Sequence, residues 1–319
     1  KFADIPLLSR MDAVAETFID EIETLLNRDL PEEERIPLIE KFQKMYETMD
    51  FYVLYNRFLK KEGYQTLPRR PLEKRKLRYE DVYPVLYLKY RLSRQAERSN
   101  IKHLVIDEMQ DYSRLQYLII RRMFSCKMTI LGDRAQTMAD QQQDVLQFLP
   151  GIFGKDLRRI EMRKSYRNTV EIASYAANLI GVTDLELFER HGMPVLERDV
   201  TDLEAALREA VDTLFPDEKT YETAAVIVPD EKTAERAYLI LREILAEKDF
   251  DCGKRLSWLN RDSSSFKKGL TVTTFYLAKG LEFDQVFSIF PKDEKREIMM
   301  QAQYIAATRA LHELRVYHI

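Results

Sequence analysis

The chain has 319 residues, of which 45% are hydrophobic and 32% are charged, and its net charge is −3. This length suffices for two domains, and the composition is that of a globular protein with enough apolar side chains for packed cores. No apolar run approaches the roughly 20 residues that cross a bilayer, so we expect no membrane partner. The slightly negative charge excludes a globally basic surface, so any nucleic-acid-binding surface must be local.

The cysteines and histidines form no recognisable zinc or redox motif. Cys126 and Cys252 are far apart, and the four histidines are scattered. We therefore expect reduced thiols and a cytoplasmic protein. The first residues lack the apolar core of a signal peptide, and the chain starts with Lys, which favours a fragment of a longer protein.

Residues 1–98 are predicted to be helical. In residues 11–30, apolar side chains recur at spacings of three and four, which predicts an amphipathic helix. The residues of this stripe are Met11, Val14, Phe18, Ile19, Ile22 and Leu25. A second helical pattern starts after Pro31 and ends near Gly63. A third covers residues 79–99, with Pro84 in its first turn.

Residues 60–78 form a strongly basic segment. It contains eight basic and two acidic residues and two prolines. A solvated linker is the favoured interpretation, because short charge runs are common on protein surfaces. The alternative is a basic arm that contacts nucleic acid or an acidic partner.

From residue 101 onward, short apolar runs alternate with helical patterns. Helices are predicted from Ser113, from about Thr137, from Asn168 and from Asp230, and a further helix ends near Arg309. The predicted strands are "HLVID", "KMTILGD", "RRIEM", "AAVIVP", "LTVTTF", "DQVFSIF" and "LRVYHI". Continuous apolar strands separated by helices predict an α/β fold with parallel sheets flanked by helices.

The first of these strands runs into two acids, Asp107 and Glu108. Ligands of open α/β sheets bind beyond the carboxyl ends of the strands. An apolar strand that ends in Asp is typical of a Mg²⁺ site, and the next Glu can deprotonate an attacking water. The alternative is a helix start capped by acids.

Four further polar motifs follow in order. They are "TILGDRAQ" with Gln136, "SYRN" with Arg167, "LAKGLEF" with Lys279, Gly280 and Glu282, and "AATRA" with Arg309. Each one alone is a weak signal. Their order over about 210 residues, from 101 to 314, is hard to explain by chance.

The five motifs together resemble motifs II to VI of superfamily 1 helicases of the UvrD/Rep type. The resemblance implies RecA-like domains, ATP and Mg²⁺ as cofactors, and DNA as a partner. Residues 99–155 would be the C-terminal part of a first RecA-like domain and residues 156–319 a second one. Residues 1–98 would be a helical insertion within the first domain.

The resemblance also implies roles for the motif residues before residue 137. Asp107 would be the Mg²⁺ ligand and Glu108 the catalytic base. Gln136 would couple the γ-phosphate of ATP to the conformation of the protein.

Five residues of the later motifs receive roles by the same resemblance. Arg167 and Arg309 would act as arginine fingers from the second RecA-like domain. A planar, positively charged guanidinium can stabilise a phosphoryl group that gains charge in the transition state. Glu282 would accept a hydrogen bond from the ribose, beside Lys279 and Gly280 in the nucleotide site. For both arginines, the alternative is a surface salt bridge.

The chain contains no G-x-x-x-x-G-K-[ST] sequence. In the UvrD/Rep type this P-loop precedes motif II, so we expect it in an upstream segment and expect this chain alone to be inactive as an ATPase. A degenerate, non-catalytic helicase fold that serves as an interaction module is the alternative.

Other departures favour one branch of the family. No aromatic residue follows Gln136 to stack a base, Tyr276 stands where motif V usually has His, and only about 105 residues separate Asn168 from Thr273. These features resemble the HelD-type factors, which bind bacterial RNA polymerase and use ATP to release it from nucleic acid. A conventional 3′–5′ DNA helicase fragment is the alternative, and the sequence does not define an oligomeric state.

Overall fold

The fold consists of two compact units, seen in a computed structural model of the chain. The first unit comprises residues 1–132 and 144–157, and the second comprises 133–143 and 158–319. In the described part, no helix is long and apolar enough to cross a membrane. The described residues are 2–93, 100–133, 136, 144–154, 157–162, 164–182, 186–215, 221–247, 255–263, 268–292 and 297–319.

The first unit is mainly helical. Its helices and strands are α1 (Arg10–Leu26), α2 (Glu32–Gln43), α3 (Phe51–Lys61), α4 (Tyr79–Leu92), β1 (His103–Ile106), α5 (Arg114–Met123), β2 (Lys127–Ile130) and α6 (Val145–Phe153). Short 3₁₀ turns cover Leu7–Ser9, Leu72–Lys74 and Met109–Asp111. Strands β1 and β2 pair in parallel. The predicted N-terminal helical region is confirmed.

Two details of that region differ from the prediction, and a third is not tested. The pattern between Pro31 and Gly63 forms two helices, because Asp50 caps a new helix by accepting a hydrogen bond from the Tyr52 backbone at 2.9 Å. Helix α4 begins at Tyr79, so Pro84 lies in its second turn. Residues 94–99, at the end of the predicted third helix, lie outside the described residues.

The predicted apolar stripe of α1 is only partly buried. Ile19 is fully buried, whereas Leu25 near the end of the helix is 84% exposed. In the last turn of α1, Leu25 and Leu26 are therefore exposed, and Glu23 makes the contact with α2 through Arg35.

The basic segment 60–78 contributes contacts within the first unit. Arg75 pairs with Asp50 at 2.6 Å and lies over the Tyr52 ring at 4.7 Å. Arg78 pairs with Asp81, whose carboxylate also accepts a hydrogen bond from Tyr55. These two arginines hold the segment against α3 and α4.

The second unit is built on a parallel sheet. Its helices and strands are β3 (Lys164–Ser165), α7 (Val170–Leu179), β4 (Glu186–Leu187), β5 (Leu196–Asp199), α8 (Leu203–Asp212), β6 (Thr223–Val228), α9 (Glu231–Glu247), β7 (Leu256–Trp258), β8 (Gly269–Thr274), β9 (Phe283–Phe290), α10 (Glu297–Thr308) and β10 (Ala310–His318). Six strands form the sheet in the order β5-β10-β9-β6-β8-β7, and all pair in parallel. Strands β3 and β4 form a separate parallel pair.

Strand β6 shows why this sheet needs helices on both faces. Successive side chains of a strand point to opposite faces. Val226 and Val228 join a core cluster with α8 and α9, whereas Ala225 and Ile227 join a cluster with α7 and α10. The predicted α/β class, with a parallel sheet flanked by helices, is confirmed.

The predicted strand "RRIEM" is wrong. Residues 158–162 form no strand, and Ile160 and Met162 are 75% and 85% exposed. Three of these five residues are charged, so the segment cannot be covered on both faces as a central parallel strand must be. The helix expected from about Thr137 falls on residues outside the described part of the chain.

We predict that Ile227→Ala destabilises the second unit by about 2–5 kcal/mol, because it opens a cavity beneath α7 and α10. The only tryptophan of the chain, Trp258, lies in β7 of the same sheet, so its fluorescence in a urea titration reports the unfolding of this unit. Ile160→Ala is the matched control and changes stability by less than about 0.5 kcal/mol. Equal midpoints for the two variants would contradict this account of the core.

Candidate functional site

Asp107 and Glu108 lie where β1 ends, at the carboxyl edge of the β1-β2 pair, as predicted. Glu108 has φ +52° and ψ +50°, in the left-handed region that non-glycine residues rarely occupy. Two backbone hydrogen bonds hold the turn, from Met109 N to Leu131 O and from Leu131 N to Ile106 O, both 2.8 Å. The end of β2 therefore imposes an unfavourable conformation on Glu108.

The two carboxylates have different surroundings. Asp107 is exposed, and its Oδ1 accepts a hydrogen bond from the Glu108 backbone N–H at 2.8 Å. The buried Gln110 donates from Nε2 to Glu108 Oε2 at 2.6 Å. Gln110 therefore orients the carboxylate of Glu108. The motif that carries Glu108 also includes Gln110, but the sequence assigned no role to Gln110.

This pair of acids fits Mg²⁺ in one particular way. Mg²⁺ is commonly held by one or two carboxylates together with waters and substrate phosphates. In the described part of the chain, no cluster of three or more Asp, Glu, His or Cys side chains forms a metal site. Asp107 would thus hold the ion only together with water and phosphate oxygens, beside Glu108.

Gly132 permits the close packing of this turn. A Cβ atom at this position would lie 2.4 Å from Met109 Cγ, 2.5 Å from Gln110 Oε1 and 2.6 Å from Met109 N. The last of these is a backbone atom, which cannot move aside without shifting the turn. A glycine at position 132 is therefore required for the geometry of Glu108 and Gln110.

In the second unit, Asp133 and Gln136 belong to a side-chain network. Asp133 Oδ2 accepts hydrogen bonds from Gln136 Nε2 and from the Tyr304 hydroxyl, both 3.0 Å. Gln136 Oε1 accepts from Arg309 Nη2 at 3.4 Å. The structure therefore brings together Gln136 and Arg309, two residues of the predicted site.

Tyr304 is a member of this network that the sequence analysis did not identify. Burial raises the pKa of the Tyr304 phenol, and the adjacent Asp133 carboxylate raises it further, so the hydroxyl keeps the proton that it donates. The partners are 171 positions apart in the chain, so no local pattern could have predicted this bond.

Arg309 is buried, with 2% of its surface exposed, so the surface salt bridge considered as an alternative is wrong for this residue. Its guanidinium donates to Ile305 O and Leu281 O, both at 3.3 Å, and to Thr308 Oγ1 at 3.2 Å. A buried charge is costly unless it is hydrogen-bonded, and these bonds offset part of that cost.

Asn168 supports the backbone around Arg309. Its buried amide donates to Ala310 O at 2.6 Å and to Thr308 O at 3.3 Å. The motif "SYRN" contains this residue, but the sequence alone assigned it no role. Asn168 ties the start of α7 to the junction between α10 and β10.

Arg167 and Glu282 form an ion pair with each other. Arg167 Nε lies 2.6 Å from Glu282 Oε1, and more than 40% of each side chain is exposed. The structure thus brings two further residues of the predicted site together, in the surface salt bridge that the alternative interpretation expected for Arg167.

Lys279 and Gly280 lie in the turn between β8 and β9. Gly280 has φ +76°, and no atom lies within 4 Å of a Cβ built on it. A backbone bond from Leu281 N to Ala278 O at 3.0 Å closes the turn. Glycine is therefore favoured at position 280 because the backbone has a positive φ, and not because a side chain would clash with its neighbours.

Comparison with known proteins supports the resemblance to UvrD/Rep helicases over the first part of the chain. Residues 9–138 match the family model of the UvrD/REP helicase N-terminal domain. This range contains Asp107, Glu108 and Gln136. No curated protein sequence matches the chain.

Several solved structures are similar to parts of the chain. The C-terminal domain of a possible DNA helicase from Lactobacillus plantarum is 24% identical, with a TM-score of 0.38 over 49% of this chain and 88% of that one. The PRRSV helicase is 16% identical, with a TM-score of 0.36 over 68% of this chain and 35% of that one.

The Arterivirus nonstructural protein 10 helicase, in complex with DNA, is 14% identical, with a TM-score of 0.37 over 84% of this chain and 51% of that one. The chain thus spans 35% and 51% of the lengths of the two viral proteins.

We predict that Gly132→Ala destabilises the first unit by about 1–3 kcal/mol, because its methyl group overlaps the backbone of Met109. The matched control is Gly151→Ala in α6, where an added Cβ meets no atom within 4 Å. It replaces a helical glycine and should stabilise by about 0.5–1 kcal/mol. Urea unfolding followed by far-ultraviolet circular dichroism measures both, and an unchanged midpoint for Gly132→Ala would refute the packing argument.

We predict that Tyr304→Phe destabilises the second unit by about 1–2 kcal/mol, because the charged Asp133 carboxylate loses the hydrogen bond that the Tyr304 hydroxyl donates to it. Tyr166→Phe is the control, since this ring is 60% exposed and its hydroxyl forms no hydrogen bond within the part of the chain that the structure describes. Trp258 fluorescence in urea follows both variants. If the two were equally stable, the hydroxyl of Tyr304 would have no role in the network.

Proposed function

We propose that this chain is part of an ATP-driven motor of the superfamily 1 helicase type. The observation that carries the proposal is the match of residues 9–138 to the UvrD/REP helicase N-terminal domain, together with the acids that this range places at the end of β1. The P-loop of the motor is supplied by a segment outside these 319 residues, since the chain itself contains no such sequence.

In this proposal the acids of the first unit serve ATP hydrolysis. Asp107 would hold Mg²⁺, and the ion would supply positive charge for the phosphates. Glu108 accepts the proton of the attacking water. The hydrogen bond from Gln110 and the left-handed backbone at Glu108 hold that carboxylate in one orientation.

The residues of the second unit respond to the phosphates. Gln136 is the sensor of the γ-phosphate, and its contacts with Asp133 and Arg309 carry a change at the nucleotide into α10 and β10. Arg309 stabilises charge in the transition state. Because its guanidinium is held by Leu281 O and Ile305 O, it is oriented before the nucleotide arrives.

Arg167 and Glu282 have to separate before they can act on the nucleotide. Arg167 binds a phosphate and Glu282 binds the ribose, next to Lys279 and Gly280. Their ion pair is partly exposed, and exposed pairs contribute less than about 1 kcal/mol. Nucleotide binding can therefore open the pair at small cost.

The finer proposal places the chain in the HelD-like branch, which acts on complexes of nucleic acid and RNA polymerase. Helices α1 to α4 precede the Asp107 motif, and about 105 residues separate Asn168 from Thr273, without a large inserted subdomain. A conventional 3′–5′ DNA helicase is the alternative within the same class. Association with core RNA polymerase, and weak binding of oligonucleotides, distinguish the HelD-like branch.

A non-catalytic interaction module with a helicase fold is the alternative from another class. The acids at β1, the buried Arg309 and its contact with Gln136 favour the motor, because an interaction module does not need this chemistry at these positions.

We predict that Glu108→Gln, in a protein that joins this chain to its P-loop segment, lowers ATP turnover by at least about a hundredfold, in keeping with the loss of a general base. ATP binding changes little, since the amide keeps the shape of the side chain. Steady-state phosphate release and equilibrium binding of a fluorescent ATP analogue measure the two effects.

Glu33→Gln on α2 is the control for this variant and leaves turnover unchanged. The 319-residue chain alone serves as the background and shows no turnover. An equal loss of binding and turnover in Glu108→Gln would make Glu108 a structural residue, and full activity would favour the non-catalytic module.

A further inference from the structure

A second candidate binding site lies in the first unit, at the C-terminal ends of α4 and α5. A cleft of about 580 Å³ opens there, lined in part by Tyr87, Tyr90, Arg91, Arg121 and Arg122. This volume lies within the range of small-molecule sites, roughly 300–1,000 Å³. None of the motif residues discussed above lines the cleft.

The cleft is distinct from the acids at β1. Asp107 and Glu108 precede α5, whereas Arg121 and Arg122 lie in its last turn. A helix of 10 residues spans about 15 Å. A ligand in the cleft therefore lies at the opposite end of α5 from the proposed hydrolytic site.

The charge of the cleft favours an anion. Three arginines line it, and none of its described lining residues is acidic. The C-termini of α4 and α5 contribute about half a negative charge each. The positive charge of the three arginines therefore exceeds the negative charge of the two helix ends by about two. Among the described residues, neither Arg91 nor Arg121 forms an ion pair.

One of the arginines is held in place by the protein. The Arg122 Nε donates a hydrogen bond to the backbone oxygen of Tyr90. A guanidinium has five N–H donors in a planar fork, so the terminal nitrogens of Arg122 are available for a phosphate. The bond joins the two helices that form the walls of the cleft.

Two aromatic side chains complete the site. Tyr87 and Tyr90 are half-buried in the wall of the cleft, and neither ring contacts another aromatic ring within the described residues. Aromatic faces next to arginines bind nucleobases by stacking, while the arginines bind phosphates. An acidic peptide would use the arginines but would gain little from two tyrosine rings.

We infer that this cleft binds a nucleoside phosphate, with the base against Tyr87 or Tyr90 and the phosphate at Arg91, Arg121 and Arg122. A free nucleotide and a nucleotide within a single strand present the same chemistry. The inference concerns the 319-residue chain itself and does not depend on the proposed ATPase function.

The experiment uses the 319-residue chain and three probes, which are AMP, a fluorescein-labelled oligothymidylate of twelve nucleotides and inorganic phosphate. Calorimetry and fluorescence anisotropy measure the dissociation constants. Saturable binding of AMP, the oligonucleotide or both is expected, with phosphate alone binding more weakly. AMP binding identifies a free nucleotide as the ligand, and binding of the oligonucleotide alone identifies a strand.

Variants locate the ligand. Arg91→Ala combined with Arg121→Ala should weaken nucleotide binding roughly a hundredfold, about tenfold for each charge-assisted contact. Arg114→Ala, at the other end of α5, is the matched control and leaves binding unchanged. Tyr87→Leu combined with Tyr90→Leu should weaken nucleotide binding but not phosphate binding, and circular dichroism shows that each variant is folded.

Several results would overturn the inference. These are the absence of saturable binding by AMP and the oligonucleotide, binding that is insensitive to Arg91 and Arg121, and binding of phosphate as tight as that of the nucleotides.

Discussion

The need to bury the parallel sheet on both faces determines most of the second unit. Strand β6 is buried along nearly its whole length, so alternate side chains must enter two separate cores. Helices α7 and α10 on one face and α8 and α9 on the other follow from that requirement. Because the strands are parallel, the connection after β8, which carries Lys279 and Gly280, starts at a carboxyl edge, where polar side chains can gather.

Burial of Arg309 is the second constraint, and it connects the fold to the candidate site. A guanidinium inside the protein has to be hydrogen-bonded, and it recruits Leu281 O, Ile305 O and Gln136 for this purpose. Gln136 in turn shares Asp133 with Tyr304. A displacement of any one of these side chains therefore changes the hydrogen bonds of the others. A residue that senses a phosphate group requires such a connection.

The acids at the end of β1 in the first unit are held in place in a different way. Its acids are positioned by backbone packing, because Gly132 allows the end of β2 to approach Met109 and Gln110 closely. That approach keeps Glu108 in a left-handed conformation, whose cost is on the order of 1–3 kcal/mol. The more open cleft at the other end of α5 is instead defined by side chains, namely arginines and tyrosines on neighbouring helices.

Much of this molecule could be predicted from local sequence patterns. The apolar runs of β6, β8 and β9 predict buried strands, and Ser113 with Gln116 forms the capping box that starts α5. The expectation of a buried strand is wrong for β1, where Val105 is 59% exposed, because β1 pairs only with β2 among the described strands. The order of the polar motifs also placed Gln136 and Arg309 in one predicted site, and these two side chains contact each other. The strand and capping signals depend on neighbours within a few positions, whereas the motif order extends from residue 101 to residue 314.

Tertiary structure alone decided the rest. The short strand β5 has one apolar residue in "LERD" and is a strand because it pairs with β10. The segment 158–162, which is also rich in charged residues, pairs with no strand among the described residues. The bonds of Tyr304 to Asp133 and of Asn168 to Ala310 join residues more than 140 positions apart. The sequence determined which segments are apolar and where the acids fall, because periodicity and capping are local. Which strands pair, which arginine is buried and which one forms a surface ion pair depend on distant contacts that no local pattern contains.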